Sequence, residues 1–271
     1  MLNRIVKRHG EMNMLNKECN AMMKNCLLVL LSMCLLGGVS QALAVAEAEQ
    51  QNPLNANSDK GITESDMAKD TLSGLVPLPI QLPHKMFVGT PQDMRVPNLE
   101  KPLGKPRPPF YAPTETKNVA AGKPVTSTEN EPLIGELTMI TDGDKEAMDG
   151  SYIELGRFLQ SVTIDLEAEY EIYAILVWHY HKQPRIYFDV IVQIADDPDF
   201  EHNVRTLFNN DIDNSAGLGM GHDMHYVETN EGKLIDAKGQ RARYVRLYSN
   251  GNNVNELNSY IEVQVFGNPA K

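Results

Sequence analysis

From about residue 117 onward, short runs rich in Val, Ile, Tyr and Phe alternate with turn-forming clusters, and no stretch carries a convincing helical period. The candidate strands are Glu136–Thr141, Ser161–Leu166, Glu171–Tyr180, Phe188–Ala195, Arg205–Phe208, His225–Glu228, Ala242–Tyr248 and Ile261–Phe266. Between them lie Asp142-Gly143, Asp149-Gly150, Asp196-Asp197-Pro198-Asp199 and Asn250-Gly251-Asn252-Asn253, all built from residues that tolerate tight turns. So many short strands in roughly 150 residues call for an antiparallel sandwich or barrel. A βαβ rhythm, a Gly-rich phosphate loop and internal repeats are all missing from the sequence.

The run Glu171–Tyr180 is the most informative. Alternation places Ile172, Ala174, Leu176 and Trp178 on one face and Tyr173, Ile175, Val177, His179 and His181 on the other. Both faces are apolar, as in a central strand, and Trp178 is expected in the core. In Ala242–Tyr248, Val245 and Leu247 share one face, and Tyr244, Arg246 and Tyr248 the other.

The first 44 residues read as a separate object. Residues 26–39 form an uncharged run too short for a comfortable membrane span, preceded by Arg4, Lys7, Arg8, Lys17 and Lys24. Ala42-Leu43-Ala44 and Ala44-Val45-Ala46 both fit a small-x-small cleavage site. This is the pattern of a secretory signal peptide, with a retained anchor as the alternative and Met22 or Met23 as an alternative start. Cleavage would remove Cys19, Cys26 and Cys34, hence every thiol, and with them cysteine nucleophiles, CxxC redox chemistry and Cys-ligated zinc. It would also remove five basic and two acidic residues, taking the formal net charge from −11 to −14. The expected location is secreted or periplasmic, with no integral membrane span after cleavage. So acidic a chain is a poor match for phosphate backbones, and nucleic acid is not an expected partner.

Residues 45–116 read as a linker, polar at first and then Pro-rich. Prolines 77, 79, 83, 91, 97, 102, 106, 108, 109 and 113 disfavour helix and central strand alike. Val76, Leu78, Ile80, Met86, Phe87, Val88, Phe110 and Tyr111 lie among them, so the segment either runs extended along the following domain or acts as a semi-rigid spacer.

Several segments in order resemble the discoidin domain, or coagulation factor 5/8 C-terminal type. Asn118–Thr126 resembles its opening, and Thr141-Asp-Gly-Asp144 its first turn. Val162-Thr-Ile-Asp-Leu166 with Tyr170-Glu-Ile172 is similar to its "I-D-L-G … Y-x-I" segment, and Ala195–Phe200 to its "S-D-D-G-x-x-W" turn. Ala242-Arg-Tyr-Val-Arg-Leu247 and Tyr260–Gly267 are similar to its last strands. The resemblance spans residues 117–267. It implies an all-β, jelly-roll (galactose-binding-like) β-sandwich over 117–271 that binds glycans, phospholipid surfaces or proteins rather than catalysing. The cysteine pair of human-type members is absent. The acidic charge disfavours anionic lipid, so a glycan or cell-surface polysaccharide is the expected partner.

Three constellations could carry chemistry. Asp142-Gly143-Asp144 can aim two carboxylates and turn carbonyls at one hard cation. The resemblance adds Glu262 on the last strand and implies a structural Ca²⁺ there. His179-Tyr180-His181 would place two imidazoles on one face, with Lys182 and Arg185 in the loop beyond. These donors suit sugar hydroxyls. Alternatively they form a cupin-like metalloenzyme site, with His222 or His225 as third ligand, although Arg185 stands where a cupin carries Glu. Finally Asn209-Asn-Asp211-Ile-Asp213-Asn-Ser215, followed by Gly217, Gly219 and Gly221, reads as a ligand loop or a second Ca²⁺ loop. The expected glycan contacts are His179, His181, Arg185, Asn209, Asp211 and Asp213. An adhesion or structural protein with a protein partner is the remaining alternative.

Overall fold

The computed structural model describes residues 74–87 and 94–271. The expected signal peptide, the polar linker up to residue 73, and Val88 lie outside them. In chain order the strands are β1 (Leu75–Pro77), β2 (Tyr111–Pro113), β3 (Lys117–Asn118), β4 (Val125–Ser127), β5 (Ile153–Leu155), β6 (Gln160–His179), β7 (Ile191–Ala195), β8 (Arg205–Asn209), β9 (Lys233–Ser249) and β10 (Asn258–Pro269). A 3₁₀ turn covers Leu137–Thr141. The expected all-β sandwich is what forms.

Two long strands make the sandwich. The first half of β6 pairs with β4 and with Tyr244–Ser249 of β9, which continues to β7 and β8. The second half pairs with β10 and with the start of β9, and β10 also carries β3 and β5. Between the halves the β6–β9 register breaks at Asp165/Tyr170, so both strands pass from one layer to the other. Glu167 (φ 64°) turns there, its N–H donated to Asp165 Oδ1 at 2.7 Å, and Arg243 clamps the same carboxylate with two 2.8 Å bonds. Two separate strands expected at 161–166 and 171–180 are thus one bent strand.

The inner core draws Val162, Ile164, Leu166, Val192, Ile194, Val245 and Leu247 from one layer and Ile175, Val177, Ile235, Val263 and Val265 from the other. Fully burying each such side chain is worth about 1.5–3 kcal/mol. A bulge against β10, where Ile172 to Ala174 spans two steps opposite the single step Gly267 to Phe266, corrects the expected face assignment. Ile172 joins the inner core, and Tyr173 packs with Ala174, Leu176 and Trp178 on the outer face. One extra residue in the ladder inverts the side-chain alternation.

That outer face is covered by the Pro-rich segment. Leu78 and Ala112 are buried with Trp178, Leu176, Ala174, Ile261 and Phe266, and Ile80, Met86 and Phe110 pack beside them. Prolines leave few ladder bonds, so among the described residues the segment forms only the β1–β2 pair and scattered ties, such as Leu78 N–H to Phe110 O (2.8 Å) and Asn230 Nδ2 to Pro83 O (3.2 Å). Trp178 is fully buried, its indole N–H donated to Asn230 O at 3.1 Å. Gly232 (φ 63°) lies against it, and a Cβ there would sit 2.7 Å from the indole.

Two further expectations are corrected. Glu136–Thr141 is no strand: Gly135 (φ 76°) turns the chain away, and adjacent Ile140 and Thr141 are both buried, as a tight helical turn allows and alternation does not. His225–Glu228 is no strand either, because its backbone bonds go elsewhere. His225 exchanges bonds with Asn98 O and Glu100 N, and Glu228 N–H goes to Arg185 O.

Candidate functional site

The strand directions bring the ends of β6, β8 and β9 to one end of the sandwich, and the loops that follow them are tied together there. Phe188 exchanges backbone bonds with Gly251 and Asn250, and Asn253 N–H reaches Ile186 O. Asn253 Oδ1 accepts from Ile186 N–H at 2.8 Å, and Asn250 Nδ2 donates to Asp189 Oδ2 at 2.8 Å. The 142–150 loop joins through Lys182 Nζ to Asp149 Oδ1 (2.8 Å) and through His181 Nε2 and the Lys145 carbonyl (3.0 Å). All three constellations singled out in the sequence lie at this end.

Glu262 lies beneath the Asp142-Gly143-Asp144 turn. Its Oε2 accepts Gly143 N–H at 3.2 Å, and its Oε1 is buried without a partner among the described residues. Burial chiefly, with the Asp142 charge, pushes its carboxyl up to about 8 against the lowering bond from Gly143. Asp142 and Asp144 are exposed and accept from Asp144 N–H (2.8 Å) and Glu146 N–H (2.9 Å). The donor set is all oxygen and the orphaned buried Glu262 oxygen is what a hard cation would satisfy, so the residue types fit Ca²⁺, but the Asp142, Asp144 and Glu262 carboxylates do not all lie within 4.8 Å of one another.

His179 and His181 correct the sequence reading. Neither is exposed, so an external sugar does not reach them in this state. His179 points into the inner core, its Nδ1 2.7 Å from Glu228 Oε1, stacked on Tyr187 at 4.4 Å. Around this buried pair stand Tyr187, whose hydroxyl burial pushes up to about 12, and Tyr226, raised well above the usual range by burial. The two imidazoles have different partners, which separates the roles the metalloenzyme alternative assigned them. Among the described residues, they share no cluster of three ligating groups. His225 is buried against Phe188, and His222 is exposed.

Arg185 is half-buried, its guanidinium 4.5 Å above the Tyr180 ring. Tyr152 meets Tyr180 edge-on at 5.0 Å, and Lys182 and Asp149 lie alongside. This polar-aromatic corner contains two tyrosines that sequence reasoning passed over. In the sequence Tyr180 stands only as the end of the candidate strand Glu171–Tyr180, and Tyr152 falls in no candidate strand.

In the 209–215 loop, oxygens of Asp189, Asp211 and Asp213 all approach within 4.8 Å of one another. Donors already serve them. Ser215 N–H reaches Asp211 and Asp213, Ala216 N–H reaches Asp211, and Ser215 Oγ donates to Asp189. Asn209 and Asp211 are buried and hold the loop, Asn209 through Gly219 O and Asp211 N–H; only Asp213 faces solvent. The expected contacts Asn209 and Asp211 are therefore loop-builders. Asp189 is the member the sequence did not join to the loop, since it arrives from the other side of β7.

A groove of about 500 Å³ opens beside this end, between the Pro-rich segment and the start of β9. Lys85, Lys105, Arg107 and Lys233 line it, with Glu100 and Glu231. It was invisible in the sequence because its two walls are more than 100 residues apart.

No family model matches the chain, and no curated protein matches it. Among solved structures it is similar to a family 89 glycoside hydrolase from Clostridium perfringens, at 20% identity over 56% of this chain and 15% of that one, with a TM-score of 0.41. The chain thus spans only a small part of that enzyme's length. It is also similar to chitosan-binding module 1 of a chitosanase/glucanase from Paenibacillus sp. IK-5, at 16% identity over 56% of this chain and 99% of that one, TM-score 0.38. The CBM32 of AlyQ, in complex with 4,5-unsaturated mannuronic acid, aligns at 16% identity over 53% and 93%, TM-score 0.38.

Proposed function

We propose that this protein is a non-catalytic, extracytoplasmic glycan-binding module that reads its ligand at the loop-bearing end of the sandwich. The observation that carries this reading is the corner of Arg185, Tyr152 and Lys182, backed by the buried Tyr180 ring beneath Arg185 and held by cross-tied loops. Fixed donors beside aromatic rings suit a sugar, whose hydroxyls need partners and whose ring faces are apolar. A preorganised surface also loses little entropy on binding. The buried His179–Glu228 pair is assigned to the interior architecture rather than to chemistry. A structural Ca²⁺ held by the Asp142-Gly143-Asp144 turn and Glu262 would lock the neighbouring loop by binding the folded state alone. The solved structures similar to this chain include carbohydrate-binding modules, which accords with the reading but does not carry it.

The test is a glycan panel probed with the full chain and with Arg185→Ala. The expected result is binding to at least one glycan without product release, weakened about tenfold by the substitution, as loss of one well-placed charged contact requires. A panel blank for every sugar would contradict the reading and favour a protein partner.

A further inference from the structure

The groove beside the loop end differs in charge from the rest of the molecule. The chain carries a formal net charge of −11, yet four cations face the groove against two carboxylates. The two carboxylates are already engaged. Glu100 Oε2 lies 2.9 Å from Lys233 Nζ, whose ammonium also sits 4.6 Å over the Tyr226 ring, and Glu231 Oε2 accepts Arg107 N–H at 3.0 Å. Arg107 also gives Nη1–H to Gly232 O at 2.9 Å, which fixes its guanidinium at the groove wall while burial lowers its pKa. Among the described residues Lys85, Lys105 and Arg107 make no salt bridge with any carboxylate. Lys85 and Lys105 are exposed at the rim.

We infer that this groove binds an anionic polysaccharide strand, its carboxylate or sulfate groups lying between Lys85, Lys105 and Arg107. The inference rests on the glycan-binding reading and names the substrate class. An unpaired cationic cleft in an acidic protein concentrates polyanions locally, while the surrounding negative charge repels longer-range, non-selective ones. Three unpaired cations are too few for the backbone of a nucleic acid, whose affinity grows with every phosphate neutralised. The groove is also continuous with the loop end: Val227 and Thr229 line it, and Glu228 between them is bonded through its N–H to Arg185 O.

The test compares polygalacturonate, dextran sulfate and uncharged dextran and galactan as probes of the full chain, with poly-glutamate as a peptide control. The variant Lys85→Glu/Lys105→Glu alters two exposed side chains, and a thermal melt equal to that of the parent shows that it folds. The expected result is binding of polygalacturonate or dextran sulfate that weakens with salt and falls about tenfold in the double variant, with uncharged glycan binding unchanged. Which polymer binds distinguishes carboxylate from sulfate. Acidic-polymer binding unaffected by the double variant, or poly-glutamate bound equally well, would overturn the inference. Uncharged glycans bound without either acidic polymer would overturn it while leaving the glycan-binding reading intact. No glycan bound at all would remove that reading itself.

Discussion

The two faces of β6 are equally apolar, but they are buried by different means. The inner face, with Ile175 and Val177, meets the opposite layer of a hydrogen-bonded sheet. The outer face, with Ala174, Leu176 and Trp178, meets a Pro-rich segment whose side chains do most of the covering. A ladder couples many residues into one cooperative unit. A segment poor in backbone donors cannot, so its cover is expected to open locally at lower free energy than the sandwich itself. The difference shows that a chain can bury a full sheet face with sequence that looks like a spacer.

The largest expected effect breaks the comparison outright. A chain starting at residue 117 leaves Trp178, Leu176, Ile261 and Phe266 uncovered. At about 1.5–3 kcal/mol for each large side chain, the loss is comparable to the stability of an ordinary domain. Unfolding is expected to lose cooperativity, and the fluorescence of the sole Trp to shift to the red. An unchanged melt and spectrum would mean that the segment is a spacer after all. A finer probe sets Leu78→Ala in the Pro-rich strap over the outer face against Val263→Ala in the inner core. Large-to-small core changes cost about 2–5 kcal/mol for Leu and somewhat less for Val, where neighbours cannot relax. The strap variant should speed amide exchange only over residues 75–113, whereas the core variant should speed it throughout. Uniform acceleration by both would show one cooperative unit.

The next effect is a pH dependence at the turn. Glu262 has its folded-state pKa raised to about 8, well above the ordinary carboxylate value, so the folded state holds a proton that the unfolded state releases. Its contribution to stability is therefore greatest below the unfolded pKa and is lost as pH rises toward about 8. Glu262→Gln should flatten the stability profile across that window, and Ca²⁺ should raise the melting temperature of the parent more at pH 8 than at pH 5. A parent and variant with the same profile, both indifferent to Ca²⁺, would remove the cation from the account. The smallest expected effect is at the bend. The Arg243 side-chain bonds hold Asp165 below the usual carboxylate range, but both side chains are partly solvated, so Asp165→Asn should cost about 1 kcal/mol or less in a urea titration.

Much of this fold was legible locally. Alternation in Glu171–Tyr180 marked a central strand with two apolar faces, and the turn formers at 196–199 and 250–253 lie where loops do. What alternation could not show was its own interruption: the bulge at Tyr173 against β10 leaves no composition signal, yet it exchanges the faces of Ile172 and Tyr173. The candidate site was legible in position but not in orientation. Glu262 and the Asp142–Asp144 turn, singled out together in the sequence, are joined by the Gly143 N–H bond to Glu262. His179 and His181 were placed at the correct strand end, but burial there depends on Glu228 and Lys145, which reach them from 49 and 36 residues away. The groove cations share no motif at all, because the fold rather than the chain makes them neighbours.

The central claim is glycan binding without turnover. The most direct measurement incubates the full chain with a panel of neutral and acidic oligosaccharides, recording bound ligand by titration calorimetry and the ligand's chain length afterwards. The account predicts saturable binding to at least one member and every oligosaccharide recovered intact. Shortened or eliminated products that disappear in a Glu228→Gln variant, or no binding to any member, would contradict it.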